Sequence, residues 1–181
     1  VGVVERDRLL PRPTIGAGDV LVGLSSNGPH TNGYSLLRRL FEWLPLDAQP
    51  APLDVPLADA LLQPHRSYLP VLAGALAVDD LIKGLAHITG GGLIDNVPRV
   101  LPDGCDAAIT LGSWPMPPLF QLVSDVATGM PREELYRTLN MGIGMVIVVA
   151  AERVGELRGM IAEPSWTIGA VVSGDGRVVL S

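Results

Sequence analysis

Cysteine, lysine and aromatic residues are scarce in this chain of 181 residues. The single cysteine, Cys105, has no partner for an internal disulfide, which is typical of proteins in a reducing compartment. Lys83 is the only lysine and the formal net charge is −6, so the chain lacks the clustered basic residues of nucleic-acid-binding proteins. Aromatic residues make up only 4%, so the core must consist mainly of aliphatic side chains.

Long hydrophobic runs are also missing. The longest, residues 143–151, has about nine residues, half of what a membrane-spanning helix needs. No signal peptide is visible, and we expect a cytoplasmic protein. Hydrophobic residues account for 48% and charged residues for 18%, which excludes a disordered chain and a coiled coil. The first residue is Val1 rather than Met, which suggests a domain excised from a longer protein.

The residue pattern predicts strands and helices that alternate within one domain, residues 1–181. Apolar runs predict strands at 19–24, 85–89, 105–111 and 143–150, the last central in the sheet. Helical periodicity predicts helices at 33–44, 57–62, 66–77, 118–127, 132–139 and 152–161, and a short helix that ends at residue 96. Residues 166–172 and 177–180 suggest a closing hairpin around 173–176. We therefore expect an α+β fold, a mixed β-sheet covered by helices in an α/β/α layering.

A polar turn follows the first predicted strand. Its residues are Ser25, Ser26, Asn27, Gly28, Pro29, His30, Thr31 and Asn32. A turn before a helix presents free backbone N–H groups beside the positive end of the helix dipole, which suits a phosphate or a polyhydroxylated ligand. An ordinary capping turn, with Thr31 or Asn32 as the helix N-cap, explains the same residues, and both interpretations stay open. A lone histidine such as His30 is more often structural than catalytic.

A second turn, rich in glycine, follows the strand at 85–89. It consists of Thr89, Gly90, Gly91 and Gly92. Consecutive glycines let another backbone or an anion approach closely. Tight strand–helix packing is the alternative, although it would need one glycine rather than three. Arg99, a little further on, carries a guanidinium that suits a phosphate. Asn140 and Gly142, before the central strand, suit a helix C-terminal cap.

Several kinds of site are excluded by their missing motifs. The glycine turn is not followed by Gly-Lys-Ser/Thr, and it does not match the dinucleotide fingerprint. No Gly-x-Ser-x-Gly elbow occurs, which argues against a Ser-His-Asp hydrolase. His30, His65 and His87 are far apart in the sequence and Cys105 stands alone, so the spacing predicts no metal site.

Three motifs together resemble the C-terminal domain of the phosphoribosylformylglycinamidine cyclo-ligase family, the AIR synthetases. They are residues 18–36, 87–102 and 135–145, and residues 166–169 resemble the family's closing strand. The motifs occur in the family's order and spacing, and the resemblance covers nearly the whole chain. Asn27, Thr31 and Leu139 depart from the residues usual in the family.

The resemblance implies an ATP-dependent ring closure in purine biosynthesis. Formylglycinamidine ribonucleotide and ATP would yield aminoimidazole ribonucleotide, ADP and phosphate. In the reaction that the resemblance implies, the formyl oxygen would be phosphorylated, an amidine nitrogen would attack and phosphate would leave, so positioning and charge stabilisation would dominate. The resemblance also implies that ATP and Mg²⁺ bind mainly to an N-terminal domain. We expect that domain to be absent from this chain, and the isolated chain to be inactive.

The resemblance makes the two turns the walls of the substrate cleft. His30 and Asn32 are the implied catalytic residues, and we expect both to lie outside the core. The implied substrate contacts are Ser25, Ser26, Asn27, Gly28, Thr31, Thr89, Gly90, Gly91, Gly92, Asn96, Arg99 and Asn140. The expected partners are the substrate, the N-terminal domain and a second subunit of a homodimer, with neither nucleic acid nor membrane.

Two alternatives remain open. One is another ATP-dependent member of the superfamily: formylglycinamidine ribonucleotide synthetase, thiamine-monophosphate kinase, selenide water dikinase or the hydrogenase-maturation dehydratase. These proteins resemble residues 87–99 and 136–144 much less well. The other is a free-standing domain that binds a nucleotide or a partner without catalysis.

Overall fold

The protein is described by a computed structural model that covers residues 3–181. Its strands are β1 (Val20–Ser25), β2 (Gly84–His87), β3 (Cys105–Ile109), β4 (Ile143–Val149), β5 (Ser165–Ser173) and β6 (Val178–Leu180). Its α-helices are α1 (Tyr34–Leu40), α2 (Leu57–Leu61), α3 (Leu69–Leu76), α4 (Gly92–Asn96), α5 (Pro118–Val126), α6 (Arg132–Thr138) and α7 (Val154–Met160). Single 3₁₀ turns are Arg6–Arg8, Val97–Val100 and Ala151–Arg153. Over the described residues, no helix combines the length and the apolar character that a membrane crossing requires.

The strands form one six-stranded sheet in the order β2-β4-β1-β5-β3-β6. Neighbouring strands are antiparallel except β3 and β6, which are parallel. The mixed sheet and the α+β fold confirm the prediction from the sequence. The apolar run predicted to be central forms β4, an interior strand that is hydrogen-bonded to β1 on one side and β2 on the other.

The sheet has a hydrophobic core on each face. In β4, Val146 and Val148 belong to one core and Ile147 and Val149 to the other, because successive side chains of a strand point to opposite faces. The first core includes buried side chains of α1, α2, α4, α5 and α6. The second includes those of α3 and α7. Helices therefore cover both faces, as the predicted layering requires.

The strand order brings three distant segments to one edge of the sheet. β4 is antiparallel to both β1 and β2, so its beginning lies beside the ends of these two strands. The register places Ser25, at the end of β1, opposite Ile143, and His87, at the end of β2, opposite Met145. The polar turn after β1, the glycine turn after β2 and the residues before β4 therefore meet.

An ion pair fixes the opposite ends of β1 and β2. Lys83 Nζ lies 2.7 Å from Asp19 Oδ1 and donates a hydrogen bond to the carbonyl oxygen of Thr14 at 3.0 Å. The two charged side chains are only 16% and 8% exposed. The only lysine of the chain is thus a structural residue.

The predicted closing hairpin is wrong. β5 and β6 do not pair with each other, because β3 lies between them and pairs with both. Cys105 is opposite Ser173 of β5, and Ala107 is opposite Val178 of β6. The chain reverses direction after β5, as the turn residues suggest, but residues 174–177 cross over β3. Local turn signals report the reversal and carry no information about which strand becomes the partner.

The predicted helix boundaries differ from the structure at both ends, and the helix predicted at 33–44 already ends at Leu40. The N-cap of α1 is Gly33, in a left-handed conformation and without a side-chain cap, so the predicted cap at Thr31 or Asn32 is wrong. Both of those side chains instead donate hydrogen bonds to the carbonyl oxygen of His30, at 2.6 Å each. The helix predicted at 66–77 begins only at Leu69, with proline in its first turn.

Asp106 holds the connection between β5 and β6. Its Oδ1 accepts hydrogen bonds from the backbone N–H groups of Asp175, at 2.7 Å, and Arg177, at 2.8 Å. These N–H groups, that of Arg177 foremost, lower the pKa of the Asp106 carboxyl below its ordinary value. The ionised carboxylate therefore stabilises the position of β6 at the edge of the sheet.

We predict that Asp106→Asn lowers the melting temperature at pH 7. Because the folded-state pKa is lowered, the stabilisation is present above the unfolded-state pKa and is lost as the pH falls through the folded-state value. The difference from the wild type should therefore shrink as the pH falls from the ordinary pKa of an aspartate through the lowered folded-state value. Thermal unfolding followed by circular dichroism measures it. Asp103→Asn, which removes the same charge from an exposed side chain, is the control, and an equal effect of both variants would contradict the assignment.

We predict that Gly92→Ala strongly destabilises the fold, whereas Gly90→Ala does not. Gly92 has φ +56°, and a Cβ there would overlap the carbonyl oxygen of Tyr136 and lie 2.8 Å from that of Leu139. Strain and overpacking together should cost about 2–4 kcal/mol. A Cβ on Gly90 meets only Asn32 Oδ1, at 3.6 Å, and should cost less than about 1 kcal/mol. Urea unfolding of both variants tests the difference; equal midpoints would contradict it.

Candidate functional site

The polar turn after β1 is held by the buried side chain of Asn140, which is 2% exposed. Asn140 Oδ1 accepts hydrogen bonds from Ser26 Oγ at 2.8 Å and from the N–H of Gly142 at 2.9 Å. Asn140 Nδ2 donates to the carbonyl oxygen of Gly28 at 2.8 Å. Asn140 does not cap α6, since the C-cap residue is Leu139 in an extended conformation. The predicted cap is therefore wrong, and Asn140 positions the turn through bonds that span more than a hundred residues of sequence.

His30 lies at the inner side of this turn and is completely buried, contrary to the expectation that it lies outside the core. Its Nε2 is 2.7 Å from Asn27 Oδ1. Burial, with a smaller contribution from the neighbouring His65, lowers the pKa of His30 to about 4. The imidazole is therefore neutral at pH 7. It offers a fixed, uncharged ring to the site rather than a proton-donating imidazolium.

The glycine turn after β2 is held in a similar way by Asn96, which is 3% exposed. Asn96 Nδ2 donates to the carbonyl oxygens of Gly90, at 3.2 Å, and Gly92, at 2.8 Å, and Asn96 Oδ1 accepts from Thr89 Oγ1 at 3.2 Å. Gly91 and Gly92 have positive φ, and the close packing of Gly92 on the C-terminal end of α6 explains why that position is glycine. Backbone requirements thus account for two of the three glycines. Gly90 is exposed and faces the polar turn.

The two turns meet at Asn32 and Gly90. The Asn32 side-chain oxygen lies 3.6 Å from the position that a Cβ on Gly90 would occupy. Thr31 and Gly90 are exposed, and Asn32, Thr89 and Gly91 are half-buried. The surface that they share consists of backbone groups, one carboxamide and two hydroxyls. Such a surface offers neutral donors and acceptors to a polar ligand, without a nucleophile and base in contact.

Residues that the sequence did not single out complete the polar turn. Arg66 Nη1 donates to Ser25 Oγ at 2.6 Å, and the guanidinium also forms an ion pair with Glu163. The hydroxyl of Tyr68 donates to the carbonyl oxygen of Ser25 at 2.7 Å, and burial raises the pKa of this phenol. Both residues precede or begin α3, and no local motif marks them. Only the packing of α3 against β1 brings them to the site.

The other predicted contacts occupy different surroundings. Arg99 is exposed on the turn Val97–Val100, and its guanidinium forms neither a hydrogen bond nor an ion pair with the part of the chain that the structure describes. Ser26, Asn27 and Gly28 border a cleft of about 340 Å³, a volume at the lower end of the range for small-molecule sites. The rest of this cleft is mostly apolar and includes Leu53, Val55, Ala60, Pro117, Pro118, Leu119 and Phe120.

We predict that Asn140→Ala destabilises the protein by about 2–3 kcal/mol, because it leaves buried hydrogen-bonding groups of Ser26, Gly28 and Gly142 without partners. Asn32→Ala is the matched control. Its side chain is half-buried and donates one bond within its own turn, so its removal should cost less than about 1 kcal/mol. Urea unfolding measures both. An Asn140→Ala variant as stable as the wild type would show that Asn140 does not hold the turn.

Curated relatives match the chain over almost its full length. The phosphoribosylformylglycinamidine cyclo-ligase of Geobacillus kaustophilus is 48% identical over 97% of this chain and 52% of the relative. That of Myxococcus xanthus is 44% identical over 98% of this chain and 52% of the relative. The chain thus spans about half the length of the curated relatives it matches.

Solved structures share the fold at lower identity. The thiamine-monophosphate kinase of Stenotrophomonas maltophilia K279a superposes with a TM-score of 0.63 at 17% identity, over 98% of this chain and 54% of that one. The hydrogenase maturation protein HypE of E. coli gives a TM-score of 0.60 at 21% identity, over 92% of this chain and 47% of that one. At such identities the likeness concerns the fold alone.

The family model described as "AIR synthase related protein, C-terminal domain" matches residues 16–181, which include both turns and every strand. The match covers far more than half of the chain, and the resemblance of the three sequence motifs agrees with it. This chain therefore belongs to the family of AIR synthase related proteins, as a C-terminal domain.

Proposed function

We propose that this chain is the C-terminal-domain portion of a phosphoribosylformylglycinamidine cyclo-ligase and that its two turns form one wall of the substrate site. The approach of Asn32 to Gly90 carries the proposal, since it joins the two turns into one polar surface. The names of the relatives that are 44–48% identical support the activity. The substrate would be formylglycinamidine ribonucleotide, and the product aminoimidazole ribonucleotide.

The surface suits a reaction that depends on positioning. ATP would supply the phosphoryl group that turns the formyl oxygen into a leaving group. The chain's own groups would hold the ribonucleotide: Asn32 through its carboxamide, and Thr31, Thr89, Gly90 and Gly91 through hydroxyl and backbone groups. His30, neutral and completely buried, would orient Asn27 and the backbone of the turn, and its neutral ring would contact the reacting group if the turn opens toward substrate.

The remaining predicted residues divide into two groups. Ser25, Ser26, Asn96 and Asn140 bond mainly to other parts of the chain, so in this proposal they position the two turns. Asn27, Gly28 and Gly92 contribute through the main chain of the turns, and Arg99 would reach only a part of the substrate that extends over the surface. The catalytic role therefore rests on Asn32 and His30.

The clustered potential metal ligands of residues 3–181 do not suit Mg²⁺. Among residues 3–181, the group of side chains that lie close enough to share a metal ion consists of three histidines. Mg²⁺ prefers oxygen ligands in octahedral geometry. We therefore propose that Mg²⁺ and ATP bind mainly to an N-terminal domain. Structures of T. maritima PurL and of a thiamine monophosphate kinase were solved with the ATP analogue AMPPCP, and at 14% and 15% identity they share only the fold with this chain.

The proposed partners are that N-terminal domain and a second subunit in a homodimer. The share of the relatives that the chain spans, about half, leaves room for such a domain in the complete enzyme. The single cysteine, Cys105, is buried and unpaired, which supports a cytoplasmic location.

We predict that a chimera of the N-terminal half of the Geobacillus kaustophilus relative and this chain releases ADP only when formylglycinamidine ribonucleotide is present. In the chimera, Asn32→Ala should lower kcat/KM about 10- to 100-fold, because it removes a directed donor and acceptor from the site. A coupled assay for ADP measures turnover. This chain alone should release none.

Ser35→Ala is the matched control, since its side chain is exposed on α1, three residues after Asn32. It should leave kcat/KM unchanged. A folded chimera without substrate-dependent ADP release would contradict the proposed activity. A chimera in which Asn32→Ala is fully active would remove the polar turn from the substrate site. Titration of the isolated chain with formylglycinamidine ribonucleotide then shows whether substrate binds to this half by itself.

A further inference from the structure

All three histidines of the chain lie together, although they come from three separate segments. His30 belongs to the polar turn, His65 to the segment between α2 and α3, and His87 to the end of β2. One ring nitrogen of each lies within 4.8 Å of the others. The Nε2 atoms of His65 and His87 are 3.0 Å apart, and the rings of His30 and His65 stack with centroids 4.2 Å apart. The three histidines are far apart in the sequence, and their spacing predicts no metal site, but the fold brings them together.

The two ring nitrogens of His30 have different surroundings. Asn27 Nδ2 donates to the carbonyl oxygen of Pro64 at 2.7 Å, so Asn27 Oδ1 is the atom that faces His30 Nε2, also at 2.7 Å. The backbone nitrogens of Asn27 and Arg66 also lie 3.3 Å and 3.4 Å from Nε2, so this ring nitrogen has three polar neighbours. Nδ1 is buried and has no hydrogen-bond partner among residues 3–181. Buried polar atoms are rarely left in this state without a reason.

The absence of a side chain at Gly144 leaves space for the ring of His30. A Cβ on Gly144 would overlap the hydroxyl of Tyr68 and lie 2.8 Å from Cε1 and 3.0 Å from Nδ1 of His30. Gly144 is adjacent to Met145, which is opposite His87 in the β2–β4 pair. The register of the sheet thus fixes His30 and His87 over the same short stretch of β4.

We propose that His30, His65 and His87 bind one first-row divalent transition-metal ion, with Zn²⁺ as the best fit. Neutral imidazole nitrogens favour zinc, copper and nickel over magnesium and calcium, and three histidines with an open position for water form a recurring zinc site. Zn–N bonds of 2.0–2.1 Å place ligand nitrogens about 3.3 Å apart in a tetrahedral site. The 3.0 Å separation of the His65 and His87 nitrogens is already close to this value.

Closure of the site requires a small movement of His65. The rings of His30 and His65 are inclined by only 17°, so their in-plane lone pairs run nearly parallel and do not converge on one point. His65 is exposed, and among residues 3–181 its ring nitrogens have one hydrogen-bond partner, His87 Nε2 at 3.0 Å, so a rotation of this side chain can direct its lone pair toward the other two histidines. The guanidinium of the neighbouring Arg66 forms an ion pair with Glu163 and a hydrogen bond with Ser25.

Titration of the chain with ZnCl₂ in a calorimeter tests the site, and Co²⁺ absorption in the visible region reports nitrogen ligands. We expect one equivalent of Zn²⁺ to bind, and His65→Ala and His87→Ala each to weaken binding at least about tenfold. Both side chains are exposed, so the variants should fold. Because the chain has three histidines in all, no other imidazole competes for the metal. Zn²⁺ should also raise the melting temperature of the wild type and not that of His65→Ala.

Ser67→Ala, an exposed change two residues from His65, should bind Zn²⁺ as the wild type does. MgCl₂ should give no heat and no change in melting temperature. Failure of the wild type to bind Zn²⁺ at millimolar concentration would overturn the proposal. So would Zn²⁺ binding that neither histidine variant weakens, since the ion would then sit on other ligands. The readout is metal binding itself, so it is independent of the proposed enzymatic activity.

Discussion

The antiparallel pairing of β4 with β1 on one side and β2 on the other determines where every segment of the candidate site lies. Because β4 runs opposite to both neighbours, the turn after β1, the turn after β2 and the residues before β4 share one edge of the sheet. A shift of one residue in either register would move each strand's apolar side chains to the other face. The two cores that cover β4 therefore fix the strand register and, through it, the relative positions of the segments that form the site.

Two buried carboxamide side chains hold the loops that follow these strands in place. Asn140 and Asn96 satisfy main-chain groups of the polar turn and the glycine turn, respectively, and little of either side chain reaches solvent. A loop held by buried bonds keeps its outward N–H and hydroxyl groups in place before a ligand arrives, which lowers the cost of reorganisation during a reaction. Asn32, Thr31 and Gly90 thus provide the polar groups of the surface. The buried side chains of Asn140 and Asn96 keep these groups in position.

The sequence predicts most elements because apolar runs and helical periodicity are local. It also locates the two turns, since their small polar residues and consecutive glycines stand out between the predicted strands and helices. It does not predict that β3 separates β5 from β6, because strand order depends on packing between distant segments. Ser26 and Asn140 are 114 positions apart, and the three histidines come together only through the sheet register. The sequence does not predict the buried position of His30 either, because a polar turn usually faces solvent.

The position of His30 limits the role that it can have. With a pKa of about 4 it carries no proton to donate as an imidazolium at pH 7, so in the proposed reaction His30 would act only through its neutral ring. Its removal would also leave a cavity beside Tyr68 and Gly144, which confounds a loss of activity with a loss of structure. Asn32 does not have this difficulty, because it is half-buried and bonds only within its own turn. A metal ion at the three histidines would occupy the His30 lone pair, so metal binding and a direct role of His30 in catalysis are competing states of one turn.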